Sequence, residues 1–328
     1  MLIRIFRSTQ LLPLILLAIL SGTMWMVSKS DSYRVVEANG MPLYDLVVAV
    51  LGNLPIWAGP LIGFVLTFSQ AIHLNLVLNK HEVLYKNSWL PALLYVVLIG
   101  ILPPFLWFHP LLFVNSILIF VLDRIFGLYK NESSMALAFD SAFMLSLAAL
   151  FYLPAVVLFI FYFLSMMILR PFSWREWMVG ILGMFLPFFF AFLFYFLKDE
   201  LQLFYERVFV SGIKRQIDLQ HSFTLEYTLS LVLIGVFFLF SLLRLQVNYF
   251  KNVTKSRLIQ QLLVLMIPVC LLSVLVSRDE LLFRFNTIPL PLSVYLSYYF
   301  LSGKKMWLME LMFLLLLCSW AYNYFIIR

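Results

Sequence analysis

The residues with the most chemical potential in this 328-residue chain are carboxylates in a short polar stretch near its start. Asp31, Glu37 and Asp45 lie within residues 28–45, interleaved with Lys29 and Arg34. A carboxylate held over an apolar body can act as a general base, and a neighbouring Arg or Lys can hold a phosphate. The three acids are therefore the candidate catalytic set, and Arg34 is a candidate phosphate ligand. A second polar stretch, 198–227, adds Lys214 and Arg215 as candidates for phosphate or lipid binding. Within it, Leu201–Val210 is expected to form an amphipathic helix lying on a membrane. Elsewhere, Arg170-Pro171-Phe172-Ser173-Trp174-Arg175-Glu176-Trp177 alternates cations with aromatic residues. There Arg170 and Arg175 are expected to hold lipid phosphates while Trp174 and Trp177 anchor the next helix.

Two further acids, Asp140 and Glu310, interrupt apolar runs. A charge at the centre of a membrane helix costs about 2.5–3.5 kcal/mol on insertion scales. Each is thus either a functional intramembrane group or a helix-end acid that pairs locally. Asp123–Arg124 closes an apolar run in the second manner. Four histidines are scattered along the chain, and no H-x-x-x-H, C-x-x-C, G-x-x-x-x-G-K-[ST] or G-x-G-x-x-G occurs. No metal site and no cofactor is expected from that pattern. Cys270 and Cys318 each lie inside an apolar run and read as packed membrane residues.

The elements that position these residues follow from composition. Hydrophobic residues make up 63% of the chain and charged residues 12%, and the mean hydropathy is +0.98. Soluble domains carry about 25% charged residues, so this chain cannot cover a water-facing surface. It reads as an all-α, polytopic transmembrane helical bundle forming one domain over residues 1–328, with no separate soluble domain. On a scale of about 20 apolar residues per crossing, eleven spans appear: 9–27, 58–79, 89–107, 110–129, 136–152, 154–169, 178–197, 228–246, 259–277, 288–302 and 307–326. Pro103–Pro104 and Pro154 mark breaks, because proline removes a helix donor and clashes with the preceding turn. The short apolar stretch 45–57 reads as an interfacial or re-entrant helix, and His109 as an interfacial turn residue. The first run reads as an uncleaved helix, since no small-residue cleavage site follows it.

Orientation follows from Lys and Arg. With the N-terminus in the cytoplasm, fourteen of these residues fall inside and nine outside. The net charge of +7 lies mostly in short loops between spans, so it reports topology and not a nucleic-acid partner. Membrane lipids are the expected partners, and resemblance to known families adds a polyprenyl-phosphate lipid and other envelope membrane proteins.

The run Phe139-Asp140-Ser141-Ala142-Phe143, Leu150–Pro154, Arg170–Trp177, Gly183 and Pro187, with Trp89–Tyr95 and His109–Asn115 upstream, resembles an uncharacterised family of polytopic inner-membrane proteins from Bacteroidota. The resemblance covers about the first two thirds of the chain. It implies a bacterial inner-membrane location and leaves mechanism open. A weaker similarity relates 136–152, Pro154, 155–169 and Arg170–Arg175 to multi-pass C-type glycosyltransferases, which use polyprenyl-phosphate sugars. That similarity implies a catalytic acid in the first outer loop, where Asp31, Glu37 and Asp45 lie. The loop is short for that class, and no double-acid motif appears.

Three functions stay open. A non-catalytic membrane subunit or assembly factor of cell-envelope biogenesis is favoured by the lack of a firm catalytic motif and by aromatic-rich spans suited to helix packing. A polyprenyl-phosphate-linked sugar or lipid transferase with an outer-face active site is the alternative. A transporter is the third, and paired broken helices in an inverted repeat would signal it.

Overall fold

A computed structural model describes residues 2–8, 10–28, 41–51, 58–106, 108–211, 225–248, 252–276, 284–303 and 305–325. Among these the regular structure is helical throughout, with no strand. The helices are α1 (Leu2–Phe6), α2 (Leu12–Ser28), α3 (Pro42–Leu51), α4 (Ala58–Lys80), α5 (Leu90–Ile101), α6 (Pro110–Phe126) and α7 (Ser134–Phe151). They continue as α8 (Leu158–Leu169), α9 (Trp174–Leu197), α10 (Leu201–Tyr205), α11 (Leu225–Asn248), α12 (Thr254–Val276), α13 (Pro289–Ser302) and α14 (Met306–Phe325).

A helix that is apolar all round has no face for water and belongs inside. Leu90–Ile101 is such a helix, and all twelve of its residues are buried. It is the centre of the bundle, with α2, α4, α13 and α14 packed around it. α13 is nearly as enclosed. Neither is long: at about 1.5 Å per residue, α5 rises roughly 18 Å. Among the described residues, six helical stretches are long and apolar enough to cross a membrane: Leu61–Lys80, Ser134–Phe151, Trp174–Leu197, Tyr227–Val247, Thr254–Leu275 and Met306–Tyr324. The molecule is thus a membrane-embedded helical bundle.

The expected proline breaks are present. α5 stops at Ile101, and Pro103–Leu106 forms a 3-10 turn. α7 stops at Phe151, and Leu153–Val157 forms another before α8. Pro187 and Pro268 behave differently and stay inside α9 and α12, as packed membrane helices allow. The stretch expected as an amphipathic helix is α10 followed by a π-helical segment, Glu206–Ser211. Of the short apolar stretch 45–57, residues 45–51 are described, within the helix Pro42–Leu51.

Small residues set the closest helix contact. α7 turns Ala138, Ser141, Ala142, Ser146 and Ala149 inward, all fully buried. α9 meets this face with Gly183, where an added Cβ would lie 2.8 Å from the Phe139 carbonyl oxygen. Such close approach is how helices gain packing where no hydrophobic drive separates them from lipid. Ser146 Oγ adds a bond to the Met184 carbonyl at 2.7 Å.

Buried polar side chains tie the centre together. Tyr95 donates to Gln70 at 2.8 Å, and Gln70 donates to Ser116 Oγ at 2.8 Å. Asn115 and Asn286 meet at 2.9 Å, and Asn286 meets His109 Nε2 at 2.8 Å. His109 is therefore not an interfacial turn residue. It is 1% exposed, and its Nδ1 caps α6 by accepting from Leu111 N–H.

Candidate functional site: a basic cleft at one end of the bundle

The site begins where α4 stops. Val83 N–H reaches the Leu78 carbonyl at 3.0 Å and Glu82 N–H reaches the Asn79 carbonyl at 3.2 Å. Glu82 has φ of 52°. This is a Schellman cap with a side-chain-bearing residue in the left-handed position that usually goes to glycine. The reversal turns the chain toward α12, whose first turn holds it. Ser256 Oγ donates to the Glu82 carbonyl at 2.7 Å, and Gln260 Nε2 donates to the Val83 carbonyl at 3.1 Å. Lys80 and His81 are thereby set beside Lys255.

The facing wall is the end of α6. Lys80 Nζ lies 2.8 Å and 2.9 Å from the two carboxylate oxygens of Asp123. His81 Nε2 lies 2.7 Å from Asp123 Oδ1, and Lys255 Nζ is 3.5 Å from His81 Nδ1. With a carboxylate at one nitrogen and an ammonium at the other, the neutral ring carries its proton on Nε2 and turns its lone pair to Lys255. Burial lowers the His81 pKa below its ordinary value, and the hydrogen bond to Asp123 works against that shift. The imidazole is therefore neutral near pH 7, and its lone pair already faces a donor. Asp123 is likewise engaged. The Ser256 hydroxyl donates to a backbone carbonyl and not to the histidine.

The next turn closes the cleft. Lys130, with φ of 52°, stands 5.5 Å from the Tyr129 ring centre. Arg124 Nε is 3.8 Å from Asp140 Oδ2. The cleft is open on one side and has a volume of about 780 Å³. Lys80, Arg124, Lys130 and Lys255 line it with Asp123 and Glu132; with Asp140 against Arg124 counted, four cations face three carboxylates. Converging ammonium and guanidinium donors with a surplus of positive charge suit an anion, above all a phosphate with several acceptor oxygens.

Arg170 supports this cleft without lining it. Its Nη1 donates to the Asn131 carbonyl at 2.7 Å. Its Nη2 donates to Ser134 Oγ at 2.7 Å and Glu176 Oε1 at 2.9 Å. Ser134 Oγ donates to the same Glu176 oxygen at 2.6 Å. These bonds fix the turn between α6 and α7 to the start of α9. The Arg170 donors, expected to hold lipid phosphate, thus go to protein acceptors. Arg175 is exposed, 6.0 Å from the Trp174 ring centre. Asp140 sits two turns into α7 beside Arg124, and Glu310 sits near the start of α14.

Of the candidates in 28–45 and 198–227, Asp31, Arg34, Glu37, Lys214 and Arg215 lie outside the described residues. Asp45 is in the first turn of α3, and its Oδ2 is 3.0 Å from Arg207 Nη1. The same Arg207 nitrogen is 3.1 Å from the Tyr195 hydroxyl. Tyr195 is about 30 Å along α9 from its start, at 1.5 Å per residue, so this pair belongs to the end remote from the cleft. Among the described residues no group of three or more His, Cys, Asp or Glu is placed to hold a metal.

Lys80, His81 and Lys255 form the cleft although their spacing in the chain joins them to no motif. The signal available was the basic bias of one set of loops, to which Lys80, Arg124, Lys130 and Lys255 all contribute. Comparison with known proteins finds no matching family model, curated protein or solved structure.

Proposed function

We propose that this protein is a non-catalytic membrane subunit or assembly factor of cell-envelope biogenesis in the bacterial inner membrane, and that its basic cleft holds the phosphate group of an anionic lipid. The observation that carries this reading is the state of the charges at the cleft. A general base needs a lone pair facing its substrate, whereas those of Asp123 and His81 face Lys80 and Lys255. An anion site needs converging donors around open volume, and the cleft supplies both. Basic pockets between membrane helices on the cytoplasmic side bind lipid headgroups. The clustering of Lys80, Arg124, Lys130, Arg170 and Lys255 at one end supports a cytoplasmic N-terminus, with about eleven spans. The resemblance to Bacteroidota inner-membrane proteins is what points to the envelope. Exposed aromatic residues on α9, such as Phe185, Phe189 and Phe196, suit lateral packing.

Native mass spectrometry of the protein gently solubilised from its host tests the reading. A retained phosphate-bearing lipid with a stoichiometric protein partner is expected. A protein carrying neither contradicts it.

A polyprenyl-phosphate-linked transferase with an outer-face site is the second reading, favoured by Asp45 standing at the end remote from the basic cleft. Glu37→Gln and Asp45→Asn separate the two. Loss of function at normal abundance in either supports the transferase, and full complementation by both rejects it.

A further inference from the structure

α11 and α12 both lean on α13, while α11 also packs on α14 and α12 on α8. Between α11 and α12 the packing opens into a cavity of about 300 Å³, with α5 and α13 as its floor. Every lining residue is apolar, including Leu98, Ile234, Phe238, Leu271 and Leu292. Gly235 also lines it, and a Cβ added there would meet nothing within 4 Å. Leu271 is both a wall residue and 44% exposed, so the cavity opens at the outer surface of the bundle. That surface is apolar on α11, where Val236, Leu239 and Phe240 are exposed. The mouth therefore faces the bilayer.

Close-packed interiors rarely leave voids larger than a water molecule. Water finds no polar partners among these walls. An apolar cavity of about 150 Å³ accommodates benzene, so twice that volume takes a chain segment of about a dozen carbons. In a membrane-embedded bundle, an apolar mouth on an apolar outer surface meets lipid hydrocarbon. We propose that this cavity is a lateral binding pocket for a single hydrocarbon chain of a membrane lipid, acyl or prenyl, entering between α11 and α12. The proposal is independent of the phosphate cleft. Ile267, on the cavity wall, is twelve residues beyond Lys255 on the same helix, or about 18 Å.

The test uses the full-length protein in phosphatidylcholine bilayers doped with one of two photoprobes. One is a phosphatidylcholine with a diazirine midway along one acyl chain; the other is a polyprenyl phosphate with a diazirine in its chain. After illumination, adducts are mapped by mass spectrometry. At least one probe is expected to label Ile234–Phe238 and Ile267–Leu271 five-fold above Phe189–Phe190, a lipid-exposed reference on α9. The stronger probe identifies the chain type. Gly235→Leu fills the cavity and should cut its labelling at least five-fold, with α9 labelling unchanged. Gly235→Ala adds one carbon into open space and should give a smaller cut, which keeps the test decisive if the larger variant fails to fold. Cavity labelling no higher than that of α9, or unchanged in folded Gly235 variants, overturns the proposal.

Discussion

His81 sits at the hinge of the cleft between Asp123 and Lys255, and its charge state links the site to pH. Its pKa is held below that of the free side chain, chiefly by burial. The unfolded chain therefore binds that proton more readily than the folded one. Stability is complete above about pH 6.5 and declines as pH falls toward the folded-state value. His81→Gln keeps a donor for Asp123 and removes the titration. Thermal melts between pH 7.5 and 5 should show at least half of the acid-side decline lost in this variant. An unchanged decline would place its origin elsewhere. Arg170 carries a second expectation at this scale. Glu176 has a side chain only 7% exposed and depends on Arg170 for its cation. Breaking such a pair from one side leaves a buried charge, so Arg170→Ala should lose about 3 kcal/mol. Arg170→Met with Glu176→Gln should recover much of that loss in denaturant titrations. Wild-type stability in Arg170→Ala would instead leave this arginine available to lipid phosphate, as its sequence context suggests.

At the scale of elements, α7 and α9 are the pair most dependent on side-chain size. Gly183 meets a backbone carbonyl, which cannot rotate aside. Gly183→Leu should therefore cost about 1–3 kcal/mol by overpacking. Gly22→Ala is the control, since a Cβ there meets nothing within 4 Å, and its melting temperature should stay at or above that of the wild type. A Gly183→Leu protein as stable as the control would mean that the two helices are not held at that distance. These elements were legible in part. Pro103–Pro104 and Pro154 end their helices as their backbone chemistry requires, while Pro187 and Pro268 stay within theirs, as packed membrane helices allow. The uninterrupted apolar pattern of Leu90–Ile101 announces burial, but not that the helix is the centre of the bundle. The cleft was not legible from spacing. Lys80–His81 and Lys255 are some 170 residues apart in the numbering, and only the docking of α12 on the turn after α4 joins them.

At the scale of the molecule, charge is distributed by end. One end gathers the basic cleft and the Arg170–Glu176 pair; the other holds Asp45 against Arg207. The acids in these pairs fasten one element to another. Surplus positive charge is left facing open volume at the cleft, and the central claim concerns what that surplus attracts. The most direct measurement is native mass spectrometry of the purified protein from nanodiscs of equal phosphatidylcholine and phosphatidylglycerol, with wild type compared to Lys130→Gln/Lys255→Gln. These two lysines line the cleft without supporting Asp123. The wild type should retain phosphatidylglycerol at least five-fold over phosphatidylcholine, and the folded double variant should lose that preference. Equal retention of the two lipids by the wild type, or an undiminished preference in the variant, contradicts the account.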